Sequence, residues 1–122
     1  YASDRWYAPP GRIGLEGDGI GNRSVCGRAR VVHDAAEAIR DLVDGEVLVT
    51  QFTTPAFNPA LVCAGALVTS EGGLFAHAAI AARELGLAAV IGAPAALADI
   101  STGDLVEVDA PNGVVRIIEV AR

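Results

Sequence analysis

The chain has 122 residues, and 52% of them are hydrophobic, which fits one domain with a buried core. A formal net charge of −6, with no stripe rich in Lys or Arg, argues against a nucleic-acid partner. The longest apolar stretches, 59–69 and 87–98, are broken by glycine or proline and are too short to span a bilayer. We therefore expect a soluble, cytoplasmic protein with no membrane partner and no secretion signal.

The first part of the chain differs in composition from the rest. Residues 1–22 contain three aromatic residues, Pro9-Pro10 and five glycines, a mixture that favours neither a helix nor an alternating strand. The glycines at 17–21 have the wrong spacing for a dinucleotide loop, and no apolar strand precedes them. We predict that residues 1–23 are a linker from a preceding domain and that residues 24–122 form one domain. The absence of methionine and the start at Tyr1 indicate a segment of a longer polypeptide.

From residue 24 onward, apolar strands alternate with helical segments. This alternation predicts parallel strands joined by right-handed crossovers. The last two strands flank a turn that contains Asn112-Gly113, which predicts a hairpin, and we expect the first strand to join it in a second, antiparallel layer. The predicted elements are a strand at 25–32 bent at Gly27, a helix from Asp34 to about Leu42, a strand at 47–50, a helix from Asn58-Pro59 to about Ala64, a strand at 66–69, a helix at 77–85, a strand at 88–91, a helical turn within 94–98, and strands at 104–109 and 114–120.

The two cysteines, Cys26 and Cys63, lie in or beside apolar segments. Their spacing does not match that of metal ligands, and a small buried thiol is a common use of cysteine. We predict that both pack in the core.

The most informative stretch is Thr69 to Ile80, where a buried-type strand ends at polar residues and two glycines before a helix begins at His77. The free N–H groups and the positive dipole end of a helix N-terminus favour an anion and disfavour a protonated imidazole. His77 is therefore a candidate phosphoryl acceptor. Gly72 and Gly73 can form a tight turn and let a phosphate approach the backbone. For Gly73 we expect either a backbone conformation closed to residues with a Cβ or direct contact with the phosphate.

Residues 72–92 resemble the active-histidine signature of the mobile, or swivelling, domain of the phosphoenolpyruvate-utilising enzymes. That family includes phosphoenolpyruvate synthase, pyruvate phosphate dikinase, enzyme I and rifampicin phosphotransferase. The resemblance extends from about residue 24 to 120 and includes Thr53-Thr54-Pro55 and 106–109. It implies an α/β, swivelling β/β/α phosphohistidine domain, with a partly parallel sheet plus a C-terminal β-hairpin layer.

The same resemblance implies a function, namely a phosphotransferase carrier domain that is not active alone. His77 would be transiently phosphorylated from a nucleotide or phosphoenolpyruvate site and would pass the phosphoryl group to an acceptor site. The implied partners are an ATP-grasp nucleotide-binding domain and an acceptor-substrate domain, in the same polypeptide or in trans. Mg²⁺ and ATP would be held by the nucleotide domain, and no cofactor by this one.

Two residues depart from the commonest form of the signature. Phe75 and Ala76 stand where a Thr and a Ser or Cys often precede the histidine. In the dikinase branch that Thr is similar in position to a regulatory phosphorylation site, and the apolar pair is closer to the antibiotic-phosphotransferase branch. The loss of these hydroxyls supports an alternative, a noncatalytic swivelling-fold interaction or regulatory module, and the retained His77 counts against it.

Three hydroxyl residues, Thr69, Ser70 and Thr53, follow or end neighbouring strands. Because α/β sheets place their sites at the carboxyl edge of the strands, these residues are candidate contacts for the phosphohistidine or for a partner domain. Arg83 lies about 120° around the helix from His77 by the 3.6-residue repeat, so we expect it to stabilise the helix end or to contact another domain.

Metal binding is not predicted. The second histidine, His33, is remote in sequence from His77, and neither has a Cys or carboxylate at helical ligand spacing. We predict that His33 is a surface residue at the end of a strand.

Overall fold

The computed structural model describes residues 15–121 of the chain. Its elements are β1 (Asp18–Ile20), β2 (Ser24–Val31), α1 (Ala35–Asp41), β3 (Val47–Thr50), a 3₁₀ helix (Pro55–Phe57), α2 (Asn58–Leu61), β4 (Ala66–Thr69), α3 (His77–Leu85), β5 (Ala88–Ile91), α4 (Ala96–Asp99), β6 (Leu105–Asp109) and β7 (Val114–Glu119). The seven strands form one sheet in the order β1-β5-β4-β3-β2-β6-β7. No helix within residues 15–121 is long and apolar enough to cross a membrane.

The centre of the sheet is parallel, as the alternation of strands and helices predicts. β2 pairs with β3, β3 with β4, and β4 with β5, all in parallel. Every residue of β3, β4 and β5 is buried. These short apolar strands are therefore covered on both faces, as is usual for parallel sheets.

Strand β2 belongs to both halves of the sheet. Its residues 29–31 pair in parallel with β3, and residues 24–28 pair antiparallel with β6. The hairpin formed by β6 and β7 is thus joined by β2, as predicted. The sheet curls so that Val106 and Ile117 from the hairpin share a core cluster with Val68 of β4.

The opposite face of the central strands is covered by helices. Leu48 and Leu67 from the sheet pack in a second core cluster with Ala38 of α1, Leu61 of α2 and Ala79 of α3. Hairpin, central strands and helices form three layers. This confirms the predicted swivelling β/β/α fold class.

Helices α1 and α3 begin at the residues that the sequence indicates. The Asp34 side chain accepts a hydrogen bond of 2.8 Å from the backbone N–H of Glu37 and caps α1. Helix α3 begins at His77 and ends at Gly86, whose φ of 66° lies in the left-handed region.

The prediction that residues 1–23 form a linker is wrong for the part that the structure describes. Strand β1 pairs antiparallel with β5, with Asp18 opposite Ile91. Just before it, Glu16 forms a bridge with Val114 of β7. The start of the described chain therefore connects the two edges of the curled sheet.

Glycines make this connection sterically feasible. A Cβ at Gly17 would lie 2.4 Å from the Ile91 carbonyl oxygen, and one at Gly19 would lie 1.8 Å from that of Ala110. Glycines are rare in strands, but here they are needed because their own backbone lies so close to the backbones of Ile91 and Ala110. Residues 1–14 lie outside the described residues, and for them the linker stays a prediction.

Two smaller predictions also need correction. The helix expected from Asn58 to Ala64 ends at Leu61, and a 3₁₀ helix precedes it. Asn58 has helical dihedral angles and lies within the helical segment, because Pro55 has already begun the turn with its fixed φ.

Both cysteines are exposed free thiols, so their predicted core packing is wrong. Cys26 lies on an outward-facing position of β2, whose burial alternates along the strand. Cys63 follows the shortened helix α2. A single apolar neighbourhood in the sequence does not tell which face of an element a residue occupies.

Candidate functional site

The candidate site lies at the carboxyl edge of the parallel strands. Strands β3 and β4 end at Thr50 and Thr69, which are paired in register. The loop after β4 leads directly into α3, whose first residue is His77. Its N-cap residue, Ala76, is extended and provides no side-chain hydrogen bond, so the helix N-terminus lacks a side-chain cap.

The imidazole of His77 contacts the loop that follows β3. Its Nδ1 lies 2.8 Å from the hydroxyl oxygen of Thr53, and this is a hydrogen bond. Thr53 is buried, and His77 is half-buried. When the hydroxyl accepts the Nδ1–H, Nε2 keeps its lone pair. In that tautomer, Nε2 is the ring nitrogen that has no part in the bond to Thr53.

The two glycines before the histidine have different roles. Gly72 has a φ of 114°, and a Cβ there would lie 3.1 Å from that of Ala76 and 3.2 Å from Ile91 Cγ2. Gly73 does not have a positive φ, and the nearest atom to its ideal Cβ is Asp18 Oδ2 at 3.9 Å. The expectation that the Gly73 backbone is closed to residues with a Cβ is wrong, because the strained turn falls at Gly72.

Thr69 anchors the loop rather than the histidine. Its hydroxyl donates to the Glu71 carbonyl at 2.8 Å and accepts from the Gly92 N–H at 3.2 Å. Its own carbonyl accepts from the Ala93 N–H at 2.8 Å. Thr69 is fully buried, so this network fixes the loop after β4 to the end of β5.

Ser70 has a similar backbone role. Its Oγ lies 3.5 Å from the Gln51 carbonyl, and its N–H donates to the Thr50 carbonyl at 3.1 Å. The Gln51 side chain in turn donates to the Glu71 carboxylate. Of the three hydroxyl residues that the sequence predicts for the site, Thr53 is the one that the structure brings to His77.

Arg83 contacts a residue that the sequence does not indicate. Its Nη1 donates to the Leu74 carbonyl at 2.8 Å, on the loop that precedes the helix. The 3.6-residue repeat places Arg83 on a different side of α3 from His77, but it ignores the direction of the side chain. Helical side chains lean toward the N-terminus, and that rule could have indicated this contact.

Exposed apolar side chains lie on the two histidine loops, which are the loop after β3 that carries Thr53 and the loop between β4 and α3. Phe75 is 92% exposed, Leu74 is 46% exposed, and Phe52 next to Thr53 is 51% exposed. Both loops that meet at the Thr53–His77 hydrogen bond therefore carry exposed apolar side chains.

The second histidine is exposed, as predicted. His33 Nδ1 lies 3.3 Å from the Glu37 carboxylate, in the turn that leads into α1. Within residues 15–121, no group of three or more His, Cys, Asp or Glu side chains is arranged to hold a metal ion.

A curled, partly parallel sheet with a hairpin layer on one face and helices on the other is the architecture of a swivelling β/β/α domain. The sequence model described as "PEP-utilising enzyme, mobile domain" matches residues 42–113, more than half of the chain. The chain belongs to this family, the mobile domain of the phosphoenolpyruvate-utilising enzymes.

Individual relatives agree. Rifampicin phosphotransferase from a Streptomyces species is 44% identical over 104 residues, covering 85% of this chain. Phosphoenolpyruvate synthase from Aeropyrum pernix is 42% identical over 107 residues, covering 88% of this chain. The matched regions are 12% and 13% of these relatives, so the chain spans a small part of their length. An NMR solution structure of Enzyme I aligns with a TM-score of 0.57 and 30% identity, covering 66% of this chain and 33% of that one.

Proposed function

We propose that this chain is a phosphoryl carrier in which His77 accepts a phosphoryl group on Nε2 at one site and donates it at another. The observation that carries the proposal is the 2.8 Å hydrogen bond between His77 Nδ1 and Thr53. A histidine with one nitrogen held by a buried hydroxyl presents the other nitrogen in a fixed direction. Membership in the mobile-domain family supports the same role.

The chemistry requires little of this domain beyond that geometry. The Nε2 lone pair forms a bond to phosphorus while the P–O bond of the donor breaks, and the leaving oxygen keeps the electron pair. The ring then carries positive charge, and the Thr53 hydroxyl stabilises it by accepting the Nδ1–H. The N-terminal N–H groups of α3 favour the phosphoryl oxygens beside His77. Transfer to the acceptor reverses these bond changes.

The donor and acceptor sites belong to partner domains in this proposal. In-line transfer from a nucleotide needs cationic groups and a metal around the phosphates, and the chain has nine Lys and Arg residues in all. An ATP-grasp domain would hold ATP and Mg²⁺, and a second domain would bind the acceptor. The names of the relatives, a phosphotransferase and a phosphoenolpyruvate synthase, support phosphoryl transfer as the shared chemistry. The cytoplasm, where ATP is available, fits this role.

The test is site-specific phosphorylation. The chain is incubated with a cognate ATP-grasp domain, ATP and Mg²⁺, and the product is examined for acid-labile, base-stable phosphate. We expect labelling of the wild type and of the control His33→Ala, and complete loss of label in His77→Ala. Label that persists in a folded His77→Ala variant would contradict the carrier proposal and would leave the noncatalytic module as the better account.

A further inference from the structure

We propose that Arg83 is a positioning residue for the phosphorylation of His77, and this inference rests on the proposed carrier function. Arg83 lies in the last turn of α3, and His77 is the first residue of that helix. The Arg83 guanidinium donates to the Leu74 carbonyl at 2.8 Å. The Arg83 side chain therefore links the last turn of α3 to the loop that precedes this helix.

The segment that Arg83 holds has few other attachments. The Leu74 and Phe75 side chains are exposed, so apolar packing does not fix them. Ala76, the N-cap, has no side chain that could close the first turn. Among residues 15–121, the bond from Arg83 is the one side-chain hydrogen bond to the backbone of residues 72–76 that the structure shows.

The other hydrogen bonds of the loop between β4 and α3 hold the backbone before and after Leu74. The Thr69 hydroxyl fixes the backbone at Glu71, before the glycine turn. The Ala76 N–H donates to the Gly73 carbonyl at 3.0 Å and closes the turn itself. Between these points, the charged donor on Arg83 gives the Leu74 carbonyl a stronger hydrogen bond than a neutral group would.

Loss of that bond frees the residues just before the helix. The imidazole and the first N–H groups of α3 must meet the phosphoryl group together, and small misplacements of reacting groups reduce rates steeply. Arg83 does not touch the phosphoryl group in this account. It acts by holding Leu74 and thus the start of the helix.

The chain offers a matched control on the same surface. Arg23 and Arg83 both line a groove of about 410 Å³ that lies between the start of β2 and the end of α3. Arg23 is exposed, and no hydrogen bond from Arg23 to the loop at residues 72–76 is among those that the structure shows within residues 15–121. Replacing Arg23 therefore removes an equal charge from the groove without releasing the loop.

The experiment uses phosphoramidate, a small phosphoryl donor that needs no partner domain. The P–N bond of the reagent breaks, ammonia leaves, and the His77 N–P bond forms. Every variant is made in a His33→Ala background, so that His77 is the one histidine left, and its phosphorylation is followed by ³¹P NMR at a temperature where every variant is folded. We expect Arg83→Ala and Arg83→Gln to react about tenfold more slowly than wild type, as loss of one well-formed charge-assisted bond predicts. Arg83→Lys should recover part of the rate because its ammonium can donate to the same carbonyl, and Arg23→Ala should stay within about twofold of wild type.

A second readout separates positioning from stability. In Arg83→Gln, which keeps a good helix former, the amide resonances of residues 74–79 should shift while the thermal midpoint changes little. A folded Arg83→Gln variant with the wild-type rate would overturn the positioning role alone. Failure of the wild type to gain phosphate on His77 would overturn the carrier proposal and this inference together.

Discussion

The parallel strands β3 to β5 and the hairpin β6–β7 belong to one sheet, but their connections serve different purposes. The loops that follow β3 and β4 bring Thr53 and His77 together. The hairpin turn instead places Asp109 Oδ2 within 2.9 Å of both the Asn112 amide and the Arg116 guanidinium. The comparison shows that the parallel half positions chemical groups at its carboxyl edge, while the hairpin half closes the core behind them.

The two halves of the sheet also differ in how deeply their strands are buried. The parallel strands are buried along their whole length, whereas β6 and β7 alternate between buried and more exposed residues. Changes in the hairpin half should therefore alter stability with little effect on chemistry, and changes in the histidine loops should do the opposite.

The largest effect is expected at Gly19, where β1 crosses the hairpin turn. A Cβ there would lie 1.8 Å from the Ala110 carbonyl oxygen, which belongs to the backbone and cannot move easily. We expect Gly19→Ala to reduce the free energy of unfolding by about 3 kcal/mol, the upper range for overpacking. Urea denaturation measures this loss. The folded fraction should still be phosphorylated at the wild-type rate. Loss of phosphorylation without loss of stability would contradict the assignment of the hairpin half to stability and of the histidine loops to chemistry.

The next effect concerns the paired glycines of the histidine loop. Gly72→Ala places a side chain at a φ of 114°, which costs about 1–3 kcal/mol of local strain. We expect phosphorylation to slow by about tenfold or more as the turn rearranges. Gly73→Ala is the control for backbone strain, since its Cβ would have no atom nearer than 3.9 Å, and it should react faster than Gly72→Ala. If Gly73→Ala were phosphorylated more slowly than Gly72→Ala, the strained turn at Gly72 would not be what orients the loop.

Thr53 tests whether the buried hydroxyl sets the reactive nitrogen. Thr53→Val keeps the shape and removes the hydrogen bond to Nδ1, so we expect phosphorylation to slow by about tenfold, equivalent to about 1.4 kcal/mol. Thr53→Ser should restore most of the rate. Thr54→Val is a matched control, because Thr54 is exposed and makes no side-chain cap bond. Equal rates for Thr53→Val and Thr54→Val would remove the hydroxyl from the mechanism.

The smallest effect is expected at Asp109 in the hairpin half. The Asn112 side-chain amide, and then the Arg116 guanidinium, hold the pKa of Asp109 below its usual range. Because the pKa is lower in the folded state, the charge stabilises the fold above the unfolded pKa of about 3.9, and that stability is lost as pH falls through the folded pKa. Asp109→Asn should therefore cost about 1 kcal/mol at pH 7 and nothing at low pH, without changing phosphorylation. Unfolding curves for both proteins across this pH range measure the difference, and a cost independent of pH would exclude the charge as its cause.

Much of this fold could be predicted from the sequence, because the buried strands are short apolar runs and the helices have clear ends. Asp34 and Gly86 mark such ends, and both cap their helices as the sequence indicates. Strand β1 does not follow from the sequence pattern, because its glycines are typical of a turn. They serve close approach to Ile91 and Ala110, and only the packed structure provides those neighbours.

The site could be predicted in part. The histidine at the start of α3 follows from the glycine pair and the helical pattern, but the contact between Thr53 and His77 joins two loops 24 residues apart. The helical repeat gives the angle of Arg83 around α3, but it does not include the reach of a long side chain back to Leu74. The location of backbone strain at Gly72 rather than Gly73 depends on dihedral angles that residue type alone does not set.

In the proposed carrier, His77 holds the phosphoryl group on Nε2 while Nδ1 stays bonded to Thr53. The most direct measurement is NMR of the ¹⁵N-labelled, phosphorylated chain, which shows coupling between ³¹P and one ring nitrogen. We expect phosphorus to be coupled to Nε2 of His77 and Nδ1 to remain protonated. Phosphate on Nδ1, or on any residue other than His77, would contradict it.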